Sequence, residues 1–228
     1  YKWDIQALTV HLLSHVEIIQ VSAGYSYTCA VDSSQAAWCW GRNTYGILGN
    51  GITSDCATPT LVHMPEGVQV AQISARGYYA TCALDTTGAA WCWGYGLVLG
   101  DGINSNSATP VPVMMPDGVT FSAIDCGLDH CCALDTSGTG WCWGNGQYGI
   151  LGNGDTQNAA TPVQVLAPAA GEWIQIQTGN RYTCGVDTDS QVYCWGQQGE
   201  HLGHGDYSTD YLLPTPIVPT GEDLQSVS

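Results

Sequence analysis

Short apolar segments, each followed by a cluster of Gly, Asn, Asp or Pro, recur along the whole chain. The segments are rich in Val, Ile, Thr, Tyr and Trp, which is typical of β-strands joined by turns. About four segments form one unit, and the unit returns every 50 to 53 residues. Four strands in a unit of this length are typical of a propeller blade, so the pattern predicts an all-β array of β-propeller-type blades, each of four antiparallel strands.

The most regular part of each unit is a pair of segments that each contain one cysteine. In the second unit the pair extends from Ala80 to Gly94 and reads ATCALD and AAWCWG on either side of a short turn. This pattern predicts a hairpin in which Cys82 lies opposite Cys92. Trp91 and Trp93 then point to the other face, because side chains alternate along a strand. Apolar residues on both faces indicate that blades stack face to face.

Alignment of the units divides residues 1–228 into a single repeat array. A partial unit covers 1–17, four full repeats cover about 18–69, 70–120, 121–172 and 173–223, and another unit starts at 224–228. Ala7 to Leu13 resembles a closing strand, and Leu224 to Ser228 resembles an opening strand. We expect these partial units to be completed by other chain segments or by neighbouring chains, because an unpaired strand edge is a template for further pairing.

A glycine-rich loop follows each hairpin. In the first unit Asn43, Gly46, Leu48, Gly49 and Gly51 form the pattern Asn-x-x-Gly-x-Leu-Gly-x-Gly. Together with the Trp-Gly strand end, this pattern resembles the regulator of chromosome condensation repeat, and the resemblance covers nearly the whole chain. It implies a β-propeller fold. Propellers of this family close with seven blades, so four full repeats predict an open array or one completed by other sequence.

One position departs from the family pattern in most units. The family has a His before the Ala-Leu strand, and His130 matches it. The other units have Tyr27, Ala80 and Tyr182 there.

The charge of the chain excludes several partner classes. It has 20 acidic and 4 basic side chains, a formal net charge of −16, and only 11% charged residues. Lys2, Arg42, Arg76 and Arg181 are the only Lys and Arg residues. They cannot form a basic stripe, so we expect no nucleic acid or anionic lipid as a partner. No run of 18 apolar residues occurs, so we also expect no membrane span.

Eight of the 11 cysteines form four pairs with the same separation of 10. The pairs are Cys29 with Cys39, Cys82 with Cys92, Cys132 with Cys142, and Cys184 with Cys194. Opposed positions on antiparallel strands lie within disulfide range. The alternative is that each Cys is a small buried apolar residue, but recurrence as pairs in all four units favours disulfides. Structural disulfides persist in oxidising compartments, so we expect an extracellular or cell-surface location.

Three cysteines are left over. Cys126 and Cys131 flank the turn GLDH and could form a further disulfide. Cys56 would then be a free thiol or an intermolecular partner, or a buried and inert residue. Zinc is a weak alternative, because no Cys-x-x-Cys occurs and the adjacent Cys131 and Cys132 point to opposite faces.

No pattern indicates catalysis. A Gly-x-Ser-x-Gly elbow, a phosphate-binding loop and a Ser, His and Asp arrangement are all missing, so we expect a non-enzymatic protein without catalytic or cofactor-binding residues. Calcium is the cofactor left open. Asp155, Asp206 and Asp210 lie in Gly-rich loops, but without the alternating ligand pattern, and solvated turn residues are the better interpretation. O-linked glycans on the stretch from Thr209 to Thr220 are also left open.

These observations favour a non-enzymatic extracellular module for structural assembly or protein binding, such as a subunit of a filament or surface layer. Its partners would be other copies of itself or other extracellular proteins. A secreted inhibitor or a lectin-like binding propeller is the alternative. The family resemblance also suggests guanine-nucleotide exchange, which the acidic charge and the cysteine pairs disfavour.

Overall fold

The computed structural model describes residues 16–169, 171–205 and 208–217. Within these residues sixteen strands form four separate four-stranded antiparallel sheets, each with its strands in chain order. The strands are β1 Ile18–Ala23, β2 Tyr27–Asp32, β3 Ala37–Gly41, β4 Cys56–Leu61, β5 Val70–Ser74, β6 Ala80–Asp85, β7 Ala90–Gly94, β8 Ser107–Pro112, β9 Phe121–Cys126, β10 His130–Asp135, β11 Gly140–Gly144, β12 Ala159–Gln164, β13 Trp173–Thr178, β14 Tyr182–Asp187, β15 Val192–Gly196 and β16 Tyr211–Pro216.

The predicted all-β architecture of four-stranded antiparallel blades is therefore confirmed. We number the sheets blade 1 (β1–β4), blade 2 (β5–β8), blade 3 (β9–β12) and blade 4 (β13–β16). A short 3₁₀ turn lies between the third and fourth strands of each blade, at Thr44–Gly46, Gly96–Val98, Gln147–Gly149 and Glu200–Leu202. The described residues contain no helix with the length and hydropathy of a membrane span. The strands expected at Ala7 to Leu13 and Leu224 to Ser228 lie outside the described residues.

An aspartate at the turn organises each central hairpin. In blade 2 the Asp85 Oδ1 atom accepts hydrogen bonds from the backbone N–H groups of Thr87 and Ala89, at 2.8 and 3.1 Å. Its Oδ2 atom accepts one from Trp91 Nε1 at 3.0 Å. Burial alone would raise the pKa of Asp85, but these hydrogen bonds hold it below its usual value.

Neighbouring blades are joined through their first strands. The Gln72 side chain of β5 donates to the Ile124 carbonyl of β9 and accepts from the Ile124 N–H, both at 3.2 Å. Gln20 makes the same pair of bonds with Ile73, at 3.2 and 2.9 Å. The first strand of each blade is the outer strand of its sheet, so one side of its backbone has no neighbouring strand. The glutamine side chain of the preceding blade supplies the hydrogen bonds that one peptide group of this strand would otherwise lack.

The position where the family has His also joins neighbouring blades. In blade 1 the Tyr27 hydroxyl donates to the Ala80 carbonyl of blade 2, at 3.0 Å. In blade 3 His130 Nε2 lies 2.9 Å from Thr183 Oγ1 of blade 4. The Thr183 hydroxyl donates to the Ile150 carbonyl at 2.8 Å, so it accepts from an Nε2–H group of the imidazole. Tyrosine therefore replaces histidine as an inter-blade donor.

The Gly-rich loops pack against the following blade. Gly46 adopts a φ of +83°, and a Cβ atom at this position would lie 2.5 Å from the Ala108 Cα atom of β8. The carbonyl of Ile47, in the same loop, accepts a hydrogen bond from the fully buried Trp93 Nε1 of blade 2, at 2.8 Å. The glycine of the family motif is thus required by both its backbone conformation and a close inter-blade approach.

Candidate functional site: the loop end

The loops of all four blades collect at one end of the array. In an antiparallel meander the connection from the first to the second strand lies at the same end of the sheet as the connection from the third to the fourth strand. We call this end of the strands the loop end and the opposite end the turn end. The connections that start and finish at the loop end are residues 24–26, 42–55, 75–79, 95–106, 127–129, 145–158, 179–181 and the described part of 197–210.

All three arginines of the chain lie at the loop end. Arg42 Nη1 lies 3.3 Å from the Tyr78 hydroxyl, and its guanidinium lies 6.0 Å from the centre of the Tyr78 ring. The Arg181 guanidinium lies 5.8 Å from the Tyr148 ring centre. Arg76 forms an ion pair with Asp125 at 3.6 Å. Guanidinium groups over tyrosine faces are favourable cation–π contacts, and they hold the arginines in place.

Five tyrosine side chains form a contiguous group at the loop end of blades 1 and 2. This tyrosine cluster contains Tyr25, Tyr45, Tyr78, Tyr79 and Tyr95. Successive ring centres lie 5.2 Å apart for Tyr25 and Tyr78, 4.8 Å for Tyr78 and Tyr79, and 5.6 Å for Tyr79 and Tyr95. Tyr45 contacts both Tyr79 and Tyr95. Tyr25 is 79% exposed, so the cluster presents aromatic surface to solvent.

A cavity of about 260 Å³ lies beside the tyrosine cluster. Its lining comes from all four blades: Tyr25, Arg76, Tyr78, Gly127, Leu128, Thr178, Gly179 and Asn180. The first-to-second strand loops supply most of these residues, because the first strands of successive blades lie next to one another. The cavity therefore combines an arginine, two phenol rings and backbone groups that lie far apart in the sequence.

A second polar group lies at the blade 3 part of the loop end. Asn145 Nδ2 donates to Asp129 Oδ2 at 2.7 Å, and Asp129 Oδ1 is buried without a hydrogen-bond partner. Burial raises the pKa of Asp129, an effect that Asn145 and the nearby Arg181 charge oppose. The Asp129 carboxylate is therefore held inside the protein and is not available to contact a partner.

The structure forms each hairpin disulfide at the positions expected from the sequence. Cys29–Cys39, Cys82–Cys92, Cys132–Cys142 and Cys184–Cys194 each have a Cα–Cα distance of 4.1 Å. Cys126–Cys131 is a fifth bond, with a Cα–Cα distance of 4.0 Å. Cys56 is a half-buried free thiol, and its Sγ atom lies 3.4 Å from Asn50 Nδ2.

Alkylation of the unreduced, denatured protein is expected to label Cys56 alone among the 11 cysteines. The other ten sulfurs are bonded in pairs, and a disulfide does not react with iodoacetamide. Mass spectrometry before and after reduction gives the count, with the fully reduced protein as the positive control. Labelling of both members of any hairpin pair would contradict the assignment for that blade.

The loops considered for calcium use their aspartates internally. Asp155 Oδ1 accepts from the Gln157 N–H at 2.9 Å, and Asp210 Oδ1 accepts from the Gln198 N–H at 2.8 Å. Asp206 lies outside the described residues. Within the described ranges, the group of potential metal ligands that comes together is sulfur only: Cys82, Cys126 and Cys131. Those sulfurs are all bonded in disulfides.

The sequence alone did not indicate the loop end as a surface. A local signal existed, since a tyrosine lies within three residues of each arginine: Tyr45 after Arg42, Tyr78 after Arg76 and Tyr182 after Arg181. The contacts of Arg42 with Tyr78 and of Arg181 with Tyr148 cross from one blade to the next, and the repeat pattern does not specify how blades pack.

Comparison with known proteins identifies the repeat. The family model of the regulator of chromosome condensation (RCC1) repeat matches residues 36–84, 87–134 and 137–186. A second RCC1 repeat model matches 18–47, 121–150 and 173–201. The chain belongs to the RCC1 repeat family. The resemblance inferred from the glycine-rich loops is thereby confirmed.

Relatives of this RCC1-repeat chain include proteins with different activities. It is 32% identical over 215 residues to the ultraviolet-B receptor UVR8 of Arabidopsis thaliana, covering 92% of this chain and 48% of the receptor. It is 30% identical over 201 residues to the human E3 ubiquitin-protein ligase HERC2, covering 86% of this chain and 4% of the ligase. The chain thus spans less than half of either relative.

Solved structures show the same fold. Human WBSCR16 gives a TM-score of 0.79 at 20% identity, covering 88% of this chain and 53% of that protein. Prp20p of Saccharomyces cerevisiae gives 0.75 at 23% identity, covering 90% and 51%. These similarities support RCC1-type propeller blades.

Proposed function

We propose that this chain is a non-enzymatic protein-binding module of an extracellular or cell-surface protein, and that it binds through the tyrosine cluster and the adjoining cavity. The observation that carries the proposal is the collection of all three arginines and the tyrosine cluster at one end of a strongly acidic chain. Its RCC1-type relatives support a binding role for the fold. The five disulfides support an oxidising location.

Tyrosine and arginine are suited to this role for a physical reason. Both are enriched among the residues that dominate binding energy, because each buries a large area and also forms hydrogen bonds. In the tyrosine cluster the rings pack against one another, which already restricts their rotamers. Little side-chain entropy is therefore lost when a partner covers them. Arg42 adds positive charge, which favours a partner segment that presents a carboxylate beside apolar side chains.

Substitution in the tyrosine cluster is expected to abolish partner binding without unfolding the protein. Tyr25→Ala with Tyr78→Ala removes one exposed and one half-buried ring of the cluster, and loss of such residues weakens binding by about 30-fold or more each. Wild-type and variant proteins are immobilised, exposed to the secreted proteins of the source organism, and the retained proteins are identified by mass spectrometry. Leu166→Ala, at an exposed residue between blades 3 and 4, is the matched control. Equal retention by all three proteins would refute the assignment of the surface.

A second candidate function is assembly through blade stacking. The first strand of blade 1 exposes Ile18 and Val21, at 48% and 65%. The corresponding residues of blade 2, Val70 and Ile73, are buried. The exposed face is therefore of the kind that contacts another blade, and another copy of the chain could supply it. Sizing across concentration tests this: Val21→Lys should abolish any self-association that the wild type shows, and a monomeric wild type excludes it.

A further inference from the structure

Two disulfides of neighbouring blades are in direct contact. Cys82–Cys92 joins β6 to β7 in blade 2, and Cys126–Cys131 joins the end of β9 to the start of β10 in blade 3. The Cys82 and Cys131 Sγ atoms, which belong to different bonds, lie 3.5 Å apart. The Cys126 Sγ atom lies within 4.8 Å of both. All four side chains are 0% exposed, so solvent does not separate them.

The contact arises from the additional bond in blade 3. Each hairpin disulfide recurs at one position of every blade, whereas Cys126–Cys131 connects the first strand of blade 3 to its second. The first strand of a blade packs against the second strand of the preceding one, as β9 does against β6. The additional sulfurs therefore reach the hairpin bond of blade 2. Among the described residues no other pair of disulfides has such a contact.

We propose that Cys82 and Cys131 form an alternative, inter-blade disulfide by thiol–disulfide exchange. The Cys82 thiolate attacks the Cys131 Sγ atom, and the Cys82–Cys131 bond forms as the Cys126–Cys131 bond breaks. The electron pair leaves on the Cys126 sulfur, which then takes a proton. No net oxidation or reduction occurs, because one disulfide and one thiol are present before and after the step.

The exchange needs a free Cys82 sulfur. This thiolate is released when a small-molecule thiol, such as glutathione, attacks Cys92 during an opening of blade 2 and forms a mixed disulfide with it. It is also present during oxidative folding, before Cys82 and Cys92 have joined. A sulfur held 3.5 Å from a second disulfide has a high effective concentration for attack, so it reacts there rather than in solution.

The exchange would change which disulfide holds the loop that lines the cavity. The Cys126–Cys131 bond closes the loop of Gly127, Leu128, Asp129 and His130, and two of these residues, Gly127 and Leu128, line the cavity at the loop end. Transfer of the bond to Cys82 releases this loop and ties blade 2 to blade 3 instead. The redox state of one hairpin is thereby coupled to the shape of the cavity, whatever that cavity binds.

Cys92→Ser tests the exchange without any added reductant. The variant, purified in the absence of thiols, is alkylated in denaturant, then reduced and alkylated with an isotopically distinct reagent, and the labelled cysteines are assigned by mass spectrometry. We expect the first label on Cys126 and Cys56, and the second label on Cys82 and Cys131. First label on Cys82 with none on Cys126 would overturn the proposal.

Cys142→Ser is the matched control. It frees Cys132, which occupies the same hairpin position in blade 3 as Cys82 does in blade 2. We expect the first label to stay on Cys132, because the described residues place no second disulfide against it. Exchange of equal extent in both variants would show general scrambling and would overturn the assignment to the Cys82 and Cys131 contact.

The wild-type protein provides a test that does not depend on the folding of a variant. It is incubated in glutathione buffers of graded reducing strength, acid-quenched and mapped without reduction. Cross-linked peptides that contain Cys82 and Cys131 are expected at the ratios where the Cys82–Cys92 bond first opens. If that bond opens and no such cross-link forms at any ratio, the proposal is wrong.

Discussion

Gly46→Ala is expected to lower the free energy of unfolding by about 3 kcal/mol or more. The positive φ of Gly46 alone costs an L-residue about 1–2 kcal/mol. The added methyl would also lie 2.5 Å from the Ala108 Cα atom in the next blade, so the two blades must move apart. Overpacking of this kind costs roughly 1–3 kcal/mol more. Urea unfolding, followed by tryptophan fluorescence, measures the change.

Gly67→Ala separates the two contributions. Gly67 has a nearly identical φ of +80°, but no atom lies within 4 Å of a Cβ atom built there. This variant should lose only the backbone contribution of about 1–2 kcal/mol. Equal losses in the two variants would contradict the overpacking contribution at Gly46, since they would mean that the methyl added beside Ala108 costs nothing.

Acidification is expected to destabilise the protein between pH 6.5 and 4.5 through His130. Burial lowers the pKa of His130 to about 3 in the folded protein, whereas an unfolded histidine has a pKa near 6.5. In this range the unfolded chain binds a proton that the folded chain does not bind. The free energy of unfolding therefore falls with a slope that approaches roughly 1.4 kcal/mol per pH unit at the acidic end, which amounts to about 2 kcal/mol over the range.

His130→Tyr should remove this part of the pH dependence. Tyr27 occupies the same position in blade 1, next to Gly24 as His130 is next to Gly127, and donates to the next blade without titrating in this range. Asp129, whose raised pKa has the opposite effect on acidification, is present in both proteins. Urea midpoints at pH 6.5 and 4.5 are compared for the two proteins. An equal loss of stability in both would contradict the assignment to His130.

The hairpins could be predicted from the sequence because their determinants are local. The register of Cys82 opposite Cys92 follows from an alternating pattern and a short turn, and the structure has the same register. Asp85, at the turn, binds groups only two to six residues further along the chain. The same hairpin pattern occurs four times in the sequence, so the blade could be predicted without any knowledge of how blades pack.

The loop end could not be predicted in the same way. The tyrosine cluster joins Tyr25 to Tyr78, and the cavity extends from Tyr25 to Asn180. These proximities depend on the angle and order of blade packing. That packing is set by hydrogen bonds such as the one from the Gln72 side chain to the Ile124 carbonyl. In the sequence alone, Gln72 cannot be distinguished from an ordinary polar residue that faces solvent. The contact between Cys82 and Cys131 could not be predicted either, because it also depends on how neighbouring blades pack.

The inter-blade hydrogen bonds have a consequence for cooperativity. Tyr27 reaches Ala80, Gln72 reaches Ile124 and Asp125 accepts from Thr178, so each bond joins residues 52 or 53 apart and none of them skips a blade. Free energy in such an array is approximately a sum of terms for single blades and for adjacent pairs, as in a one-dimensional chain of coupled units. Folding can then nucleate at any adjacent pair and propagate from blade to blade, and one blade can open while distant pairs stay folded.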